Sequence, residues 1–275
     1  MLIAQLTDLH VRPRGRPAYR VTETNMLTER AIDAVNALRP RPDVVLITGD
    51  MTDCGLIEEY ELLKTMLRRL DVPWHMVPGN HDRRENLRTV FVDHPTVTAD
   101  PEFVQFVVDD HPVRLIGLDT VVPGKSEGAL CARRLSFLQA ALAREPRKPT
   151  IVFMHHPPFD CGIVHMDRIR LIEGEEGFAA VVRAHANIER ILCGHHHRPI
   201  QTRYAGTLAS IAPGVAHQVT LDLTPDDPGS LVLEPPAYQL HLWRPETGVV
   251  SHMVYVERYP GPFPFVLDPD YPGQA

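Results

Sequence analysis

The segment VVLITGD, residues 44–50, decides the fold. Its first five residues are apolar or β-branched, which is typical of a strand that is buried on both faces of a sheet. The glycine and aspartate that follow end this strand and place a carboxylate at its carboxyl end. Because open α/β sheets bind ligands at the carboxyl ends of their strands, Asp50 is a candidate ligand-binding residue. Capping a turn is the commoner role of an aspartate in this position.

Similar apolar runs recur along the chain, and amphipathic segments lie between several of them. Strands that alternate with helices in this way predict an α/β fold. The predicted strands cover residues 2–6, 44–47, 75–77, 113–118, 151–154 and 188–193, and the predicted helices cover residues 24–38, 58–70, 133–144 and 175–185.

The helical pattern ends at about Arg198. Apolar runs at residues 207–211, 219–223 and 238–243 are separated by Pro, Asp and Gly residues, which predicts antiparallel strands or hairpins. The final segment, YPGPFPFVLDPDYPGQA, contains five prolines, so we expect it to lie extended along a surface as a candidate subunit contact. Neither an internal repeat nor a long linker marks a second independent domain.

Composition limits the kinds of function that the chain can have. The 275 residues carry a net charge of −7, which argues against a uniformly basic surface that binds nucleic-acid polymers. The sequence lacks a run of about 18 apolar residues that could span a membrane. The four cysteines are scattered and the N-terminus does not resemble a signal peptide, so we expect a reducing, cytoplasmic location.

Groups of donor side chains follow five of the predicted strands, and the chain contains fifteen histidines. A His-rich surface would explain the histidine count, and each short motif alone is weak evidence of a metal site. The five groups together are harder to explain by chance, and their oxygen and nitrogen donors favour divalent Mn, Co, Zn or Fe. The groups are Asp8 with His10, Asp50, Asn80 with His81 and Asp82, His155 with His156, and His195 with His196 and His197.

The alternation of side chains along an extended backbone predicts which donors face the ions. Asp8 and His10 are two residues apart and should lie on the same side of the chain. His195 and His197 should share a face for the same reason. His196 is then expected to point away from the site into solvent.

The paired histidines at 155 and 156 should point to opposite sides by the same alternation. We expect His156 to be a ligand and His155 to support the site, although a buried core histidine would explain either residue alone. One carboxylate is enough to bridge two ions, and Asp50 is the candidate for that role. Asp53 is therefore assigned to a turn or to a supporting position.

The ordered motifs D-x-H, G-D, G-N-H-D, H-H and G-H-x-H resemble those of the calcineurin-like metallophosphoesterase superfamily over roughly the first 200 residues. The resemblance implies a four-layer α-β-β-α sandwich with two metal ions at the strand ends. It implies a catalytic core at residues 1–200 and a small β-rich region at residues 201–275 that completes the core and makes oligomer contacts. One ion would be held by Asp8, His10, Asp50 and His197, and the other by Asp50, Asn80, His156 and His195.

Within the superfamily, the run PGVAHQ at residues 213–218 and the chain length are most similar to bacterial glycerophosphodiesterases, and next to class III cyclic-nucleotide phosphodiesterases. The similarity implies that a hydroxide shared by the two metals attacks a small phosphodiester, while His81 protonates the leaving alcohol or stabilises charge. It implies that Tyr19 and His217 approach the substrate. It also implies a homo-oligomer, either a dimer or a dimer-based hexamer.

Two rival functions are a 3′,5′-cyclic-nucleotide phosphodiesterase and a non-catalytic scaffold that binds metal. The scaffold is less favoured because every ligand position, and the position of His81, is filled. Asp53 stands where purple acid phosphatases have a tyrosine ligand, which argues against an Fe(III)-tyrosinate enzyme. No cysteine follows Cys193, which argues against the disulfide that links subunits in some relatives.

Overall fold

The computed structural model describes residues 1–263 of the chain and contains two large β-sheets. The strands are β1 (Leu2–Leu6), β2 (Val44–Thr48), β3 (Trp74–Val77), β4 (Phe106–Val108), β5 (Arg114–Leu118), β6 (Gly128–Ala129), β7 (Thr150–Met154), β8 (Leu171–Glu173), β9 (Ile188–Cys193), β10 (Ile200–Tyr204), β11 (Thr207–Ile211), β12 (Gln218–Val219), β13 (Leu231–Val232), β14 (Ala237–Arg244) and β15 (Gly248–Tyr255). The helices are α1 (Thr24–Ala37), α2 (Ile57–Leu67), α3 (Arg84–Val90), α4 (Ala132–Arg144), α5 (Val164–Asp167) and α6 (Glu175–Arg183).

The first sheet has the strand order β15-β14-β1-β2-β3. Strands β1, β2 and β3 are parallel, so their carboxyl ends lie at one edge of the sheet. Strand β14 pairs antiparallel with β1, from Leu2 opposite Leu242 to Gln5 opposite Gln239. Two strands from the end of the described chain therefore extend the sheet that the first residues begin.

The second sheet has the strand order β10-β11-β9-β7-β5-β4. Its central strands β5, β7, β9 and β11 are parallel, whereas β4 and β10 run antiparallel at the two edges. The parallel arrangement places the residues that follow β7 and β9 side by side. This edge faces the corresponding edge of the first sheet at the site described below.

Three apolar clusters define the layers. One cluster contains side chains from both sheets, among them Ile3, Val44, Phe153 and Leu192, so the sheets pack face to face. A second cluster packs α1, α2 and α3 against the first sheet, and a third packs α4 and α6 against the second sheet. The predicted four-layer α-β-β-α sandwich is confirmed. Full burial of each large apolar side chain in these layers contributes about 1.5–3 kcal/mol.

The predicted strands and helices up to Cys193 are confirmed to within a few residues at their ends. Helix α3 and the strands β4, β10 and β15 were not predicted, because each is short or carries polar residues without a clear apolar period. The strand expected at residues 219–223 is wrong beyond Val219, because only Gln218–Val219 pairs, with Leu231–Val232, before the chain turns. Residues 264–275 of the proline-rich tail lie outside the described part of the chain.

Within residues 1–263, no helix is both long enough and apolar enough to cross a lipid bilayer.

Candidate metal centre

The candidate ligands lie together where the two sheets meet. They come from the loops that directly follow five parallel strands, three in the first sheet and two in the second. The sequence prediction that these strand ends form one site agrees with their position. The residues are Asp8 and His10 after β1, Asp50 after β2, Asn80 after β3, His156 after β7, and His195 and His197 after β9.

The backbone at five of these residues is left-handed, with φ between 45° and 73°. This conformation is strained for residues with a side chain, and such strain is characteristic of functional sites. The expectation of an extended backbone at Asp8, His10, His195 and His197 is therefore wrong, because β1 ends at Leu6 and β9 ends at Cys193. The five residues are Asp8, His10, Asp50, His195 and His197.

Hydrogen bonds between loops hold the strained backbone in place. The amide of Asp8 donates to the carbonyl of Gly49 at 3.0 Å, and the amide of His10 donates to the carbonyl of Asp50 at 2.9 Å. The loops after β1 and β2 are thus joined backbone to backbone. Each bond satisfies a group that would otherwise be buried without a partner.

The first donor group consists of Asp8, His10, Asp50 and His197, all buried, with one ligand atom of each within 4.8 Å of the others. Nε2 of His197 lies 3.2 Å from Oδ1 of Asp8 and 3.3 Å from Nε2 of His10. Nε2 of His10 lies 3.8 Å from Oδ2 of Asp50. Two imidazole nitrogens and two carboxylates therefore converge on one small volume.

The outer nitrogens of these histidines are held by other groups. Nδ1 of His10 lies 3.2 Å from Oδ1 of Asp53, and Nδ1 of His197 lies 2.9 Å from the carbonyl oxygen of His217. Partners of this kind fix the ring orientation and leave Nε2 as the ligating atom. The donor set and its supporting contacts therefore fit a divalent cation, and Asp53 lies on the outer side of His10.

The second donor group consists of His155, His156 and His195, again buried and within 4.8 Å of one another. Nε2 of His195 lies 3.0 Å from the carbonyl oxygen of Ile169, which leaves Nδ1 directed to the group. Nδ1 of His156 lies 2.7 Å from the hydroxyl of Thr120, and its Nε2 lies 3.1 Å from the carbonyl oxygen of Ser126.

His155 contacts two candidate ligands. Its Nε2 lies 3.3 Å from Oδ2 of Asp50 and 3.1 Å from Oδ1 of Asn80, and its Nδ1 lies 2.8 Å from the carbonyl oxygen of Thr48. The supporting role expected for His155 stays a prediction, because its ring also belongs to the second donor group. The prediction that His155 and His156 point to opposite sides is wrong, because β7 ends at Met154 and strand alternation stops there.

The prediction for His196 is also wrong. The residue was expected to be exposed, but its side chain is fully buried, and neither ring nitrogen has a hydrogen-bond partner within the described residues. Burial lowers the pKa of His196 to about 3, so the ring is neutral. The strand ends at Cys193, and the left-handed turn that follows directs the ring into the protein.

The buried carboxylates remain charged because cationic groups surround them. Burial alone would raise the pKa of Asp50, but His155 and His81 hold it well below its usual range. Burial alone would lower the pKa of His155, but Asp50 raises it to about 9. Positive charge is therefore required beside these carboxylates, which is the environment that a bound cation also provides.

Asp82 joins the loops after β2 and β3. Its carboxylate is buried and accepts hydrogen bonds from the amides of Met51 at 3.1 Å and Gly79 at 2.9 Å, and from the hydroxyl of Tyr60 at 2.9 Å. At Gly79 a side chain is excluded, because a Cβ atom would lie 2.2 Å from Oδ1 of Asp50. The sequence placed Asp82 among the donors, and its contacts show that it positions the loops that carry them.

His81 lies at the edge of the first donor group. Its amide donates to Oδ1 of Asp50 at 2.9 Å, and its Nδ1 lies 2.7 Å from the carbonyl oxygen of Asp53. Nε2 makes no hydrogen bond to residues 1–263, and the ring centre lies 4.7 Å from that of His10. Burial lowers the pKa of His81, but Asp50 outweighs this effect and the pKa is raised.

Tyr19 and His217 complete this side of the site. Their ring centres are 5.3 Å apart, and the ring of His217 lies 4.6 Å from that of His197. Both residues line a cavity of about 430 Å³ that also contains His81 and several of the candidate ligands. The structure thus brings together all the residues that the sequence placed near the substrate.

Other residues of this cavity were not found from the sequence. Ser126, His165, Met166 and Ile169 come from loops and a one-turn helix. Residues 228–230 end the segment between β12 and β13, and Leu231 begins β13. Thr120 contacts His156 and does not line the cavity. It follows β5 at the same edge of the sheet, and this strand-end position is a signal that could have identified it. The remaining residues carry no motif, because tertiary packing alone brings them to the cavity.

Comparison with known proteins gives the following matches. A family model described as Calcineurin-like phosphoesterase matches residues 1–199. A protein of Arcobacter nitrofigilis named probable glycerophosphodiester phosphodiesterase GpdQ is 38% identical over 265 residues, which is 96% of this chain and 97% of that protein. A protein of Rhodopseudomonas palustris named probable cyclic nucleotide phosphodiesterase is 36% identical over 244 residues, which is 86% of each chain.

A solved structure with the same fold is a dimetal phosphatase from Danio rerio. It superposes with a TM-score of 0.65 at 15% identity and covers 94% of this chain and 99% of its own.

Proposed function

The chain belongs to the calcineurin-like phosphoesterase family and is a metal-dependent phosphoric diester hydrolase, and we propose that its substrates are small glycerophosphodiesters. The observation that carries this proposal is the convergence of carboxylate and imidazole donors from both sheets beside a cavity of about 430 Å³. The near full-length similarity to a protein named for glycerophosphodiester hydrolysis supports the substrate class.

We assign the two cations as follows. The first would be held by Asp8, His10, Asp50 and His197, which is the buried donor group described above. The second would be held by Asp50, Asn80, His156 and His195. Asp50 is assigned to both sets because it lies against the first group and, through His155, beside Asn80. The donors are compatible with Fe, Mn, Co or Zn.

Divalent ions bound at these donors would polarise the phosphoryl group and lower the pKa of a water, which is the usual contribution of a two-metal site to ester hydrolysis. The chain provides the other groups. With Nδ1 of His81 donating to the carbonyl oxygen of Asp53, Nε2 carries a proton only when the ring is an imidazolium, and the raised pKa of His81 favours that form; this proton can pass to the leaving alcohol. Tyr19 and His217 bound the space that the ester occupies.

We also propose that residues 1–200 form the catalytic core and that residues 201–275 complete it and make contacts in a homo-oligomer. The described part of residues 201–275 supports the proposal that this region completes the core, because β14 and β15 extend the first sheet. Light scattering tests the oligomer, and a monomer at micromolar concentration would contradict it. A cytoplasmic location stays a prediction of the scattered cysteines, which are free thiols.

A second candidate activity is hydrolysis of 3′,5′-cyclic nucleotides, which is favoured by the similarity to proteins named as cyclic-nucleotide phosphodiesterases. The two activities are separated by one assay. Protein loaded with Mn, Co, Zn or Fe is given glycerophosphoethanolamine, cyclic AMP and a generic aryl diester, and the specificity constants are compared. The specificity constant should be higher for glycerophosphoethanolamine than for cyclic AMP. A higher value for cyclic AMP would reverse the assignment.

A further inference from the structure

The wall of the cavity above the metal centre includes a histidine that takes no part in the proposed chemistry. His165 belongs to α5 and lies beside residues 228–230 of the segment between β12 and β13, and both line the same cavity as His81. This segment passes from one strand of two residues to another, so few backbone hydrogen bonds hold it. Side-chain contacts such as those of His165 therefore help to hold the segment in place.

His165 is paired with a carboxylate of that segment. Its Nδ1 lies 3.2 Å from Oδ2 of Asp227, whose side chain is only 5% exposed. Oδ1 of Asp227 accepts a hydrogen bond from the amide of Gly229 at 3.0 Å, which fixes the carboxylate. Within residues 1–263 neither Nδ1 of His165 nor Oδ2 of Asp227 makes a hydrogen bond, so the contact between them is electrostatic. The negative charge of the carboxylate favours the imidazole tautomer with its proton on Nδ1. The other nitrogen, Nε2, then carries a lone pair.

The backbone of Gly229 fixes the plane of the ring. Gly229 has a left-handed φ of 83°, and a Cβ atom there would lie 2.7 Å from Cδ2 and 2.9 Å from Nε2 of His165. Only glycine fits this position. Nδ1 is buried and faces the carboxylate of Asp227, and the hydrogen bonds among residues 1–263 include none to Nε2. Nε2 is thus an oriented acceptor that is left for a ligand.

We propose that His165, held by Asp227, accepts a hydrogen bond from a hydroxyl group of the alcohol that is esterified to the substrate phosphate. The inference rests on the proposed function, because the ligand is a diester of a polyol such as glycerol. A hydroxyl donor is the matching chemistry, since a neutral imidazole with one free lone pair accepts such a bond. His165 is then a residue that determines specificity and has no part in breaking the ester bond.

The test uses two chromogenic diesters with the same leaving group, glyceryl 4-nitrophenyl phosphate and propyl 4-nitrophenyl phosphate, which differ only in their hydroxyl groups. The metal-loaded wild type should favour the glyceryl ester by about tenfold in kcat/KM, the usual effect of one hydrogen bond to a substrate. His165→Ala should bring the ratio close to one and leave the propyl ester unaffected. His185→Ala is the matched control, because its Nδ1 contacts Val181 of α6 and it does not line the cavity.

Binding of glycerol 3-phosphate and of propyl phosphate, measured by calorimetry, gives a second readout that needs no turnover. The wild type should bind the glycerol compound more tightly, and His165→Ala should bind both equally. Equal losses on both ligands in His165→Ala would overturn the proposal and make the Asp227 contact purely structural. If the wild type hydrolysed neither diester, the proposed function would fail, while the binding comparison would still decide the role of His165.

Discussion

The metal centre and the mouth of the cavity above it are neighbours, yet they are built in different ways. The donors of the centre follow directly on parallel strands, and Asp8, Asp50 and His156 are almost fully buried. At the mouth, Tyr19 is 51% exposed, and the segment between β12 and β13 is held by two short strands. The strand ends thus position the groups assigned to the chemistry, whereas loops form the mouth that we propose selects the alcohol. This division is common in enzymes whose sites are carried by a rigid scaffold.

The largest effect should come from Asp50→Ala, because Asp50 contacts both donor groups. Loss of the shared carboxylate should release both ions and lower kcat/KM by about 10³-fold or more, since the metals carry most of the electrostatic stabilisation. Metal content of the purified variant measured by plasma emission, together with diester turnover, checks this outcome.

Asp110→Ala is the control for Asp50→Ala, because Asp110 is 81% exposed and distant from the donors in sequence and fold. It should keep both ions and full activity. Two tightly bound ions in Asp50→Ala, with normal turnover, would remove the bridging assignment and with it the claim that the strand ends fix the chemistry.

His81→Ala should keep both metals and lose turnover. The contact of residue 81 with Asp50 is made by its backbone amide, which alanine retains. Removal of the imidazole should lower kcat for a glycerophosphodiester by about 10²–10⁴-fold, because glycerol needs a proton as it leaves. A 4-nitrophenyl ester should lose less, since nitrophenolate leaves without protonation.

Comparison of the two esters, with His252→Ala as an exposed control, separates the roles of His81. Equal losses on both esters would indicate charge stabilisation in place of proton transfer. A variant that lacked one ion would make His81 a ligand and would show that the division of the donors is wrong.

Asp82→Asn should weaken the centre without touching the ions. One oxygen of the carboxylate is replaced by an amide NH₂, so the amides of Met51 and Gly79, or the hydroxyl of Tyr60, lose an acceptor. Substitution of a residue that orients metal ligands typically weakens metal binding by about 10–100-fold. Titration of the metal-free variant with Mn measures this loss, and Asp71→Asn, at an exposed ion pair, is the control. Unchanged affinity would show that the loops after β2 and β3 hold their positions without Asp82.

The sequence could predict the centre because its donors stand immediately after apolar strands. Asp50 after VVLIT is readable without any tertiary information, and the same holds for His156 and His195. Side-chain direction could not be predicted, because alternation along a strand fails once the strand ends. His196 is buried for this reason, in contrast to the exposure predicted from alternation.

The mouth was harder to predict, because it depends on tertiary packing between segments that are far apart in the sequence. Tyr19 and His217 were placed near the substrate only through the family resemblance. The His165 and Asp227 pair joins residues 62 positions apart on segments without an apolar period. No local pattern marks such a contact. The unpredicted strand β15 is a similar case, because its pairing partner β14 determines it.

The smallest effect should come from Tyr19→Phe, which tests whether the mouth only selects the substrate. Partial burial and the nearby carboxylate of Asp53 raise the pKa of Tyr19, so its hydroxyl stays protonated and can donate to the ester. Removing one such neutral hydrogen bond should raise KM by roughly fivefold and leave kcat unchanged, because the bond is equally strong in the ground state and in the transition state. Steady-state kinetics on the glyceryl ester measures both constants, and Tyr255→Phe, on the exposed strand β15, serves as the control. A fall in kcat of a hundredfold with unchanged KM would mean that Tyr19 acts on the reacting atoms, and the separation between a centre for chemistry and a mouth for selection would then be wrong.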